Sequence, residues 1–269
     1  MCIRSRALLV GGVVAAPLFV VLWVAQAVTR NGFRPMYHPM SLLSLGDGGW
    51  VQVANFVVVG LLVVGGGIGL GRRLGRGPLV RWIRRFIVLL GVGLVVSGLF
   101  PTDAGAGFPV GAPEGAPVMS WHGAFHQAGF ILAQIAFLGA SCTLAVWFAK
   151  NRRVVWAVAC AAAATAAILV AAAGEPETLA IRLVISSAIE LGLIAAVMLD
   201  SLAARAETRV RVSGAGIRAA RWRPQSAPNR TGSGSAPTRP RSGALPTCRS
   251  TLLDPTQTSK QPLATLRRP

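Results

Sequence analysis

The chain is poor in acidic residues: Asp and Glu together number 9 among 269 residues, against 27 Lys and Arg. Charged residues make up 13% of the sequence, whereas soluble domains carry about a quarter. Hydrophobic residues make up 53%, and the mean hydropathy is +0.56. This balance excludes an ordinary soluble domain and indicates a protein that is solvated by lipid.

Cysteine and histidine are scarce as well. Cys142 and Cys160 lie in apolar runs, and Cys2 and Cys248 lie in basic segments, so we expect free thiols rather than a disulfide framework. Only three histidines are present, and each lies beside an apolar run on the same predicted side of the membrane. If ionisable side chains carry chemistry in this protein, we expect it at that side.

Long apolar runs occur at about 7–28, 51–71, 82–100, 121–149, 154–174 and 179–203. About 20 apolar residues form a helix that crosses about 30 Å of hydrocarbon. We therefore predict an all-α fold, an integral membrane bundle of six transmembrane helices that occupies residues 1–203. The sequence around the first run resembles a signal peptide, but the run is too long for one, so we expect an uncleaved helix.

The basic residues follow a topological pattern. They are concentrated between the second and third runs, between the fourth and fifth, and after the sixth. The alternate loops hold the acidic residues Asp47, Asp103, Glu114, Glu175 and Glu177. By the positive-inside rule, this pattern predicts a multi-pass protein of the cell membrane, with cytoplasmic N- and C-termini and acidic loops that face outward.

Residues 204–269 differ from the rest in composition. They are rich in Arg, Pro, Ser, Thr and Gly and show no apolar periodicity, so we predict a disordered basic cytoplasmic tail. Its first stretch, 205–223, is expected to lie against anionic lipid headgroups. Specific nucleic-acid binding is not expected, because no aromatic stacking pattern accompanies the charge.

Polar side chains cluster at the predicted outer side of the bundle. His122 and His126 are one helical turn apart and share a face of the fourth helix. We expect the polar residues of the outer side to form one candidate pocket, which consists of His38, Ser41, Asp47, Asp103, His122 and His126. This clustering of ionisable groups is a pointer to function, although interfacial His and Asp also hold loops together.

Several short motifs resemble a known family. They are His38-Pro39 with Ser41, Gly49-Trp50, Gly98-Leu99-Phe100-Pro101-Thr102-Asp103 and His122-Gly123. Together they resemble the prokaryotic multi-pass membrane family called domain of unknown function 998, over roughly residues 8–200. The resemblance implies a six-helix fold and no established activity. It does not extend to His126 or to the basic tail.

The pocket residues admit two interpretations. In the first, His122 and His126 bind a metal ion, and His38 or Asp103 completes its coordination shell. Such a set of ligands resembles a catalytic zinc site that activates water. No glutamate lies between the two histidines, so the soluble-type base of such sites is missing. In the second, the roles are structural: Asp103 caps the following segment or pairs with Arg34, and His122 donates to a backbone carbonyl.

Glu190 lies near the middle of the sixth helix, where a bare carboxylate is costly. It should be protonated or partnered, by Gln134 at similar depth or by Arg182, and it could serve as a packing clasp or as a proton relay. Three functions stay open: a membrane protein that binds a small or lipid-like ligand, a metal-assisted membrane hydrolase, and a small proton-coupled transporter. The first is preferred because the sequence holds no complete catalytic set.

Overall fold

The computed structural model of the chain describes residues 3–221, and this part is built from helices. The α-helices are α1 (Ile3–Thr29), α2 (Trp50–Leu74), α3 (Pro78–Leu99), α4 (Trp121–Lys150), α5 (Val154–Ala172) and α6 (Leu179–Arg221). Two 3-10 helices, Met40–Ser44 and Pro176–Thr178, lie in the loops. The predicted all-α bundle of six helices is confirmed for these residues.

Five of the six helices are long and apolar enough to cross a membrane: Arg4–Thr29, Trp50–Leu74, Trp121–Lys150, Val154–Ala172 and Leu179–Ala204. The exception is α3, whose first two turns carry Arg81, Arg84 and Arg85. It nevertheless lies antiparallel along most of α2, because Arg84 packs over Gly71 at one end and Gly98 packs against Phe56 at the other. We therefore treat α3 as part of the membrane bundle.

Small residues let the central helices approach closely. A Cβ placed on Gly60 would lie 2.6 Å from the carbonyl oxygen of Gly91, across the α2–α3 contact. A Cβ on Gly93 would lie 2.6 Å from the carbonyl oxygen of Gly129, across the α3–α4 contact. Real Cβ atoms do not approach backbone so closely, so these positions require glycine, and van der Waals contact holds the bundle together.

The loops divide the bundle into two ends. One end, here called the mouth face, holds the loops 30–49, 100–120 and 173–178. The other end, the basic face, holds the α2–α3 and α4–α5 turns. There the guanidinium of Arg153 donates to both carboxylate oxygens of Asp200, at 2.7 and 2.6 Å, and these bonds raise the pKa of Arg153. Which face is cytoplasmic stays a prediction from charge.

The sixth helix is longer than expected. It continues beyond residue 203 to Arg221, into the segment predicted as tail. Ala and Arg are frequent in residues 204–221, and elongation of an existing helix avoids the cost of nucleation. Residues 222–269 lie outside the described residues, so the disorder of the remaining tail and its contact with anionic headgroups stay predictions.

Candidate functional site

The first mouth loop folds back onto the bundle. Its 3-10 helix, Met40–Ser44, buries Leu42 and Leu43 in a small apolar cluster that includes Phe33 and Phe108. The guanidinium of Arg30 donates to the carbonyl oxygen of Leu43 within this helix and to that of Leu45 directly after it. This loop is therefore a fixed part of the mouth.

His38 joins the two long mouth loops. Its Nδ1 accepts the backbone N–H of Arg34 at 2.9 Å, which leaves the proton on Nε2 to donate to the carbonyl oxygen of Ala106 at 3.0 Å. The ring is 3% exposed and lies against Phe33 and Phe108. Burial is the main cause that lowers the pKa of His38, so the neutral ring is favoured. Both ring nitrogens are therefore used by the backbone.

Asp103 and Ser120 form the start of α4. The backbone N–H of Ser120 donates to Oδ2 of Asp103 at 2.9 Å, and the Ser120 hydroxyl accepts the backbone N–H of Gly123. The hydrogen bonds from the Ser120 side chain and backbone lower the pKa of Asp103. A Cβ on Gly123 would overlap Oδ2 of Asp103, which explains the His122-Gly123 pair. The carboxylate thus has a capping role at a helix N-terminus.

His122 and His126 both hold the end of α3. Pro101 follows that end, and the last carbonyl groups of a helix have no partner within it. Nδ1 of His122 donates to the carbonyl oxygen of Pro101 at 3.0 Å. Nδ1 of His126 donates to those of Ser97 and Phe100, at 2.8 and 3.0 Å. The two histidines therefore complete the C-terminus of a neighbouring helix.

The candidate metal ligands were His38, His122, His126 and Asp103. In the described part of the chain, no group of three or more His, Cys, Asp or Glu residues could hold an ion. Both ring nitrogens of His38 are hydrogen-bonded to backbone, and Nδ1 of His122 lies 3.7 Å from Oδ1 of Asp103 while it donates to Pro101. The ring nitrogens of His38 and Nδ1 of His122 are therefore engaged with the backbone and are not directed at a common ion.

A cavity of about 480 Å³ extends from the mouth face into the bundle. Most of its lining is apolar and comes from α1, α2, α3, α4 and α6. Its polar side chains include Ser41, Thr102, His126, Gln127, Gln134 and Glu190. A mostly apolar cavity of this size with a few polar groups is typical of a small-molecule site.

The cavity holds only part of the predicted pocket. Of the six candidates, Ser41 and His126 line it, whereas His38, Asp47, Asp103 and His122 do not. Ser41 projects from the 3-10 helix of the first mouth loop. His126 presents a specific chemistry, because its Nδ1 carries the proton and donates to carbonyls. When the ring is neutral, Nε2 is an acceptor, and it has no hydrogen-bond partner among the described residues.

The deep end of the cavity contains the predicted intramembrane pair. Glu190 and Gln134 interact by a side-chain hydrogen bond, and the Ser186 hydroxyl donates to Oε1 of Glu190 at 3.1 Å. Arg182, the other partner considered for Glu190, instead donates to backbone carbonyls at the end of α5, including Ala171 at 3.0 Å. Gln134 and Ser186 are therefore the observed partners.

A second cavity of about 370 Å³ lies between α4, α5 and α6. It shares four lining residues with the first: Phe130, Gln134, Leu183 and Glu190. Its outer wall is formed by small side chains of α5, such as Ala167 and Ala171. The Gln134–Glu190 pair therefore borders both cavities.

Sequence reasoning missed a buried amide cluster between α1 and α2. Nε2 of Gln26 donates to Oε1 of Gln52 at 2.8 Å, and Nδ2 of Asn55 donates to the same oxygen at 3.3 Å. Nδ2 of Asn55 also donates to the carbonyl oxygen of Phe19. The available signal was three amides within apolar runs, since polar groups inside a membrane require partners.

A family match accompanies this geometry. The family model described as "Protein of unknown function (DUF998)" matches residues 13–200, which include both long mouth loops and the helices α2 to α5. No curated protein and no solved structure matches the chain. The resemblance carried by the mouth motifs is confirmed by this match.

Proposed function

We propose, for a chain that belongs to the DUF998 family of proteins of unknown function, that the mouth cavity binds a small amphiphilic, lipid-like ligand. The observation that carries this proposal is a cavity of about 480 Å³ with a mostly apolar lining and a short series of polar groups. An amphiphile matches such a lining because its chain removes apolar surface from water while its head satisfies the buried polar groups.

The polar groups indicate the chemistry of the head. Nε2 of His126 is able to accept a hydrogen bond, as is the side-chain oxygen of Gln134, and the hydroxyl of Ser41 can donate or accept. A head that carries hydroxyl groups would satisfy these acceptors with its own donors. A head made of acceptors alone would leave them unpaired, which is costly in a dry site.

The second cavity supports a route from the bilayer. It lies behind α5, the helix with the fewest buried residues, and meets the mouth cavity at Gln134 and Glu190. A ligand that partitions into the membrane would reach the site between α4, α5 and α6. The excess of basic residues at the other end supports an outward mouth and cytoplasmic termini.

Binding can be tested with a fluorescently labelled monoacylglycerol as the probe, titrated against the protein in nanodiscs. Leu94 lines the cavity, and Leu89 lies on the same helix with 39% of its side chain exposed. Leu94→Trp fills the cavity and should weaken probe binding about tenfold or more, a loss of about 1.4 kcal/mol. Leu89→Trp adds the same ring outside the cavity and should leave the affinity unchanged. Equal affinities of the two variants, at equal thermal stability, would contradict the proposal.

A proton-coupled transporter is the second candidate, because the carboxyl group of Glu190 borders both cavities. This function requires that Glu190 exchange a proton as access alternates between the two spaces. Glu190→Gln should then abolish pH-driven release of the same probe from proteoliposomes. Unchanged release would leave a binding protein as the function. We do not propose a hydrolase, because the side chains of His38, His122 and Asp103 form hydrogen bonds with backbone groups.

A further inference from the structure

A separate cleft lies at the basic face, where α2 turns into α3. Its volume is about 370 Å³. It is lined by the end of α2, the turn and the first two turns of α3, including the arginines Arg76, Arg81 and Arg84. It does not share a residue with either cavity near the mouth.

The charge of this cleft is uncompensated. In the described structure, none of the three arginine side chains makes a hydrogen bond or an ion pair with another residue. The nearest described acid on this face by topology, Asp200, is already paired with Arg153. Three guanidinium groups around one concave space concentrate positive potential there, and an anion in that space would lower their mutual repulsion.

The backbone of the turn leaves room for a ligand. Gly75 and Gly77 have φ angles of +96° and +149°, and a Cβ on either would meet no heavy atom within 4 Å. Arg84 lies over Gly71, where a Cβ would come within 2.8 Å of the arginine Cδ. The first turn of α3 follows, with Pro78 at its start, and adds unpaired backbone N–H groups at the positive end of the helix.

The cleft also lies at the depth of lipid headgroups. The apolar helix α2 ends here and α3 begins, and Trp82 beside the cleft is 49% exposed, as expected for a ring at the membrane interface. Guanidinium groups bind phosphate oxygens through paired N–H donors, a geometry that lysine cannot supply.

We propose that Arg76, Arg81 and Arg84 form a site for the phosphate group of an anionic membrane lipid. The charge, the open backbone and the position at the interface together support this ligand. The site is independent of the mouth cavity and of the tail, since its residues belong to the end of α2, the following turn and the start of α3. Free inorganic phosphate has the same oxygen acceptors as a lipid phosphate but is not held at the membrane interface. The test must therefore distinguish free phosphate from a lipid headgroup.

The full chain is reconstituted in nanodiscs of phosphatidylcholine alone or with phosphatidylglycerol, and thermal unfolding is followed. Phosphatidylglycerol should raise the Tm of the wild type. Native mass spectrometry should show retained phosphatidylglycerol, with an affinity that falls about fivefold for each guanidinium removed. The double variant Arg76→Gln/Arg81→Gln should lose most of this shift, and it leaves Arg84 packed over Gly71.

The matched control is Arg4→Gln/Arg72→Gln, which removes the same charge from exposed residues of the same face outside the cleft. This control should keep the lipid-dependent shift. An equal loss in both double variants would mean diffuse surface attraction and would overturn the site. Full stabilisation of the detergent-solubilised protein by inorganic phosphate, without anionic lipid, would overturn the assignment to a lipid.

Discussion

At the scale of single residues, the three histidines are structural connectors that happen to share one face. Each donates a ring N–H to a backbone carbonyl in a loop or at a helix end: Ala106 for His38, Pro101 for His122, and Ser97 with Phe100 for His126. Sequence could place these rings at the mouth, because helix ends and topology are readable from apolar runs. The sequence could not predict their partners, because every residue has a backbone carbonyl group and the sequence does not mark which one accepts the hydrogen bond.

His38 gives a prediction for pH. Its pKa is lowered mainly by burial, so between the folded pKa and the ordinary value near 6.5 the unfolded chain binds a proton that the folded chain does not. Stability should therefore fall as the pH is lowered below about 6.5, with loss of the link between the two mouth loops. Thermal unfolding in detergent from pH 7.5 to 5 measures this effect.

The matched variant is His38→Gln, which keeps a donor and an acceptor but does not titrate in this range. It should show a shallower fall of Tm with acid than the wild type. Identical slopes for the two proteins would show that His38 does not carry the effect.

At the scale of elements, α3 depends on its neighbours more than on its own composition. It is held by glycine contacts to α2 and α4, and its C-terminal carbonyls are completed by His126 of α4. The length of α6 was not predictable from apolarity, because the helix continues to Arg221 beyond the last apolar run of the sequence.

Replacement of Gly93 tests this dependence. Gly93→Leu should destabilise the bundle by about 1–3 kcal/mol, because its side chain would be forced against the backbone of Gly129 and Ala133. Gly192→Leu is the matched control, since a Cβ there meets nothing within 4 Å. Unfolding of both variants in mixed micelles measures the difference, and equal stabilities would show that the α3–α4 contact is not tight.

At the scale of the whole molecule, sequence predicted the bundle but only part of the site. Apolar runs and alternating charge were sufficient for the helices and their order, because lipid imposes strong rules on both. The cavity was harder to predict than the helices, because its lining residues are spread over several helices and do not form a short sequence motif. On α4, His126, Phe130, Ala133 and Gln134 share one face at helical spacing, and this face was the signal for the cavity.

The central claim is that the mouth cavity, closed at its deep end by Gln134 and Glu190, receives a hydroxyl-bearing amphiphile. Photolabelling in nanodiscs with a diazirine monoacylglycerol, with the diazirine near its head, tests it most directly. Peptide mapping should place the label on the cavity faces of α4 and α6, around residues 126–134 and 183–191, with loss of the label when unlabelled monoacylglycerol is added in excess. Label that spreads over lipid-facing positions and resists this competition would contradict the claim.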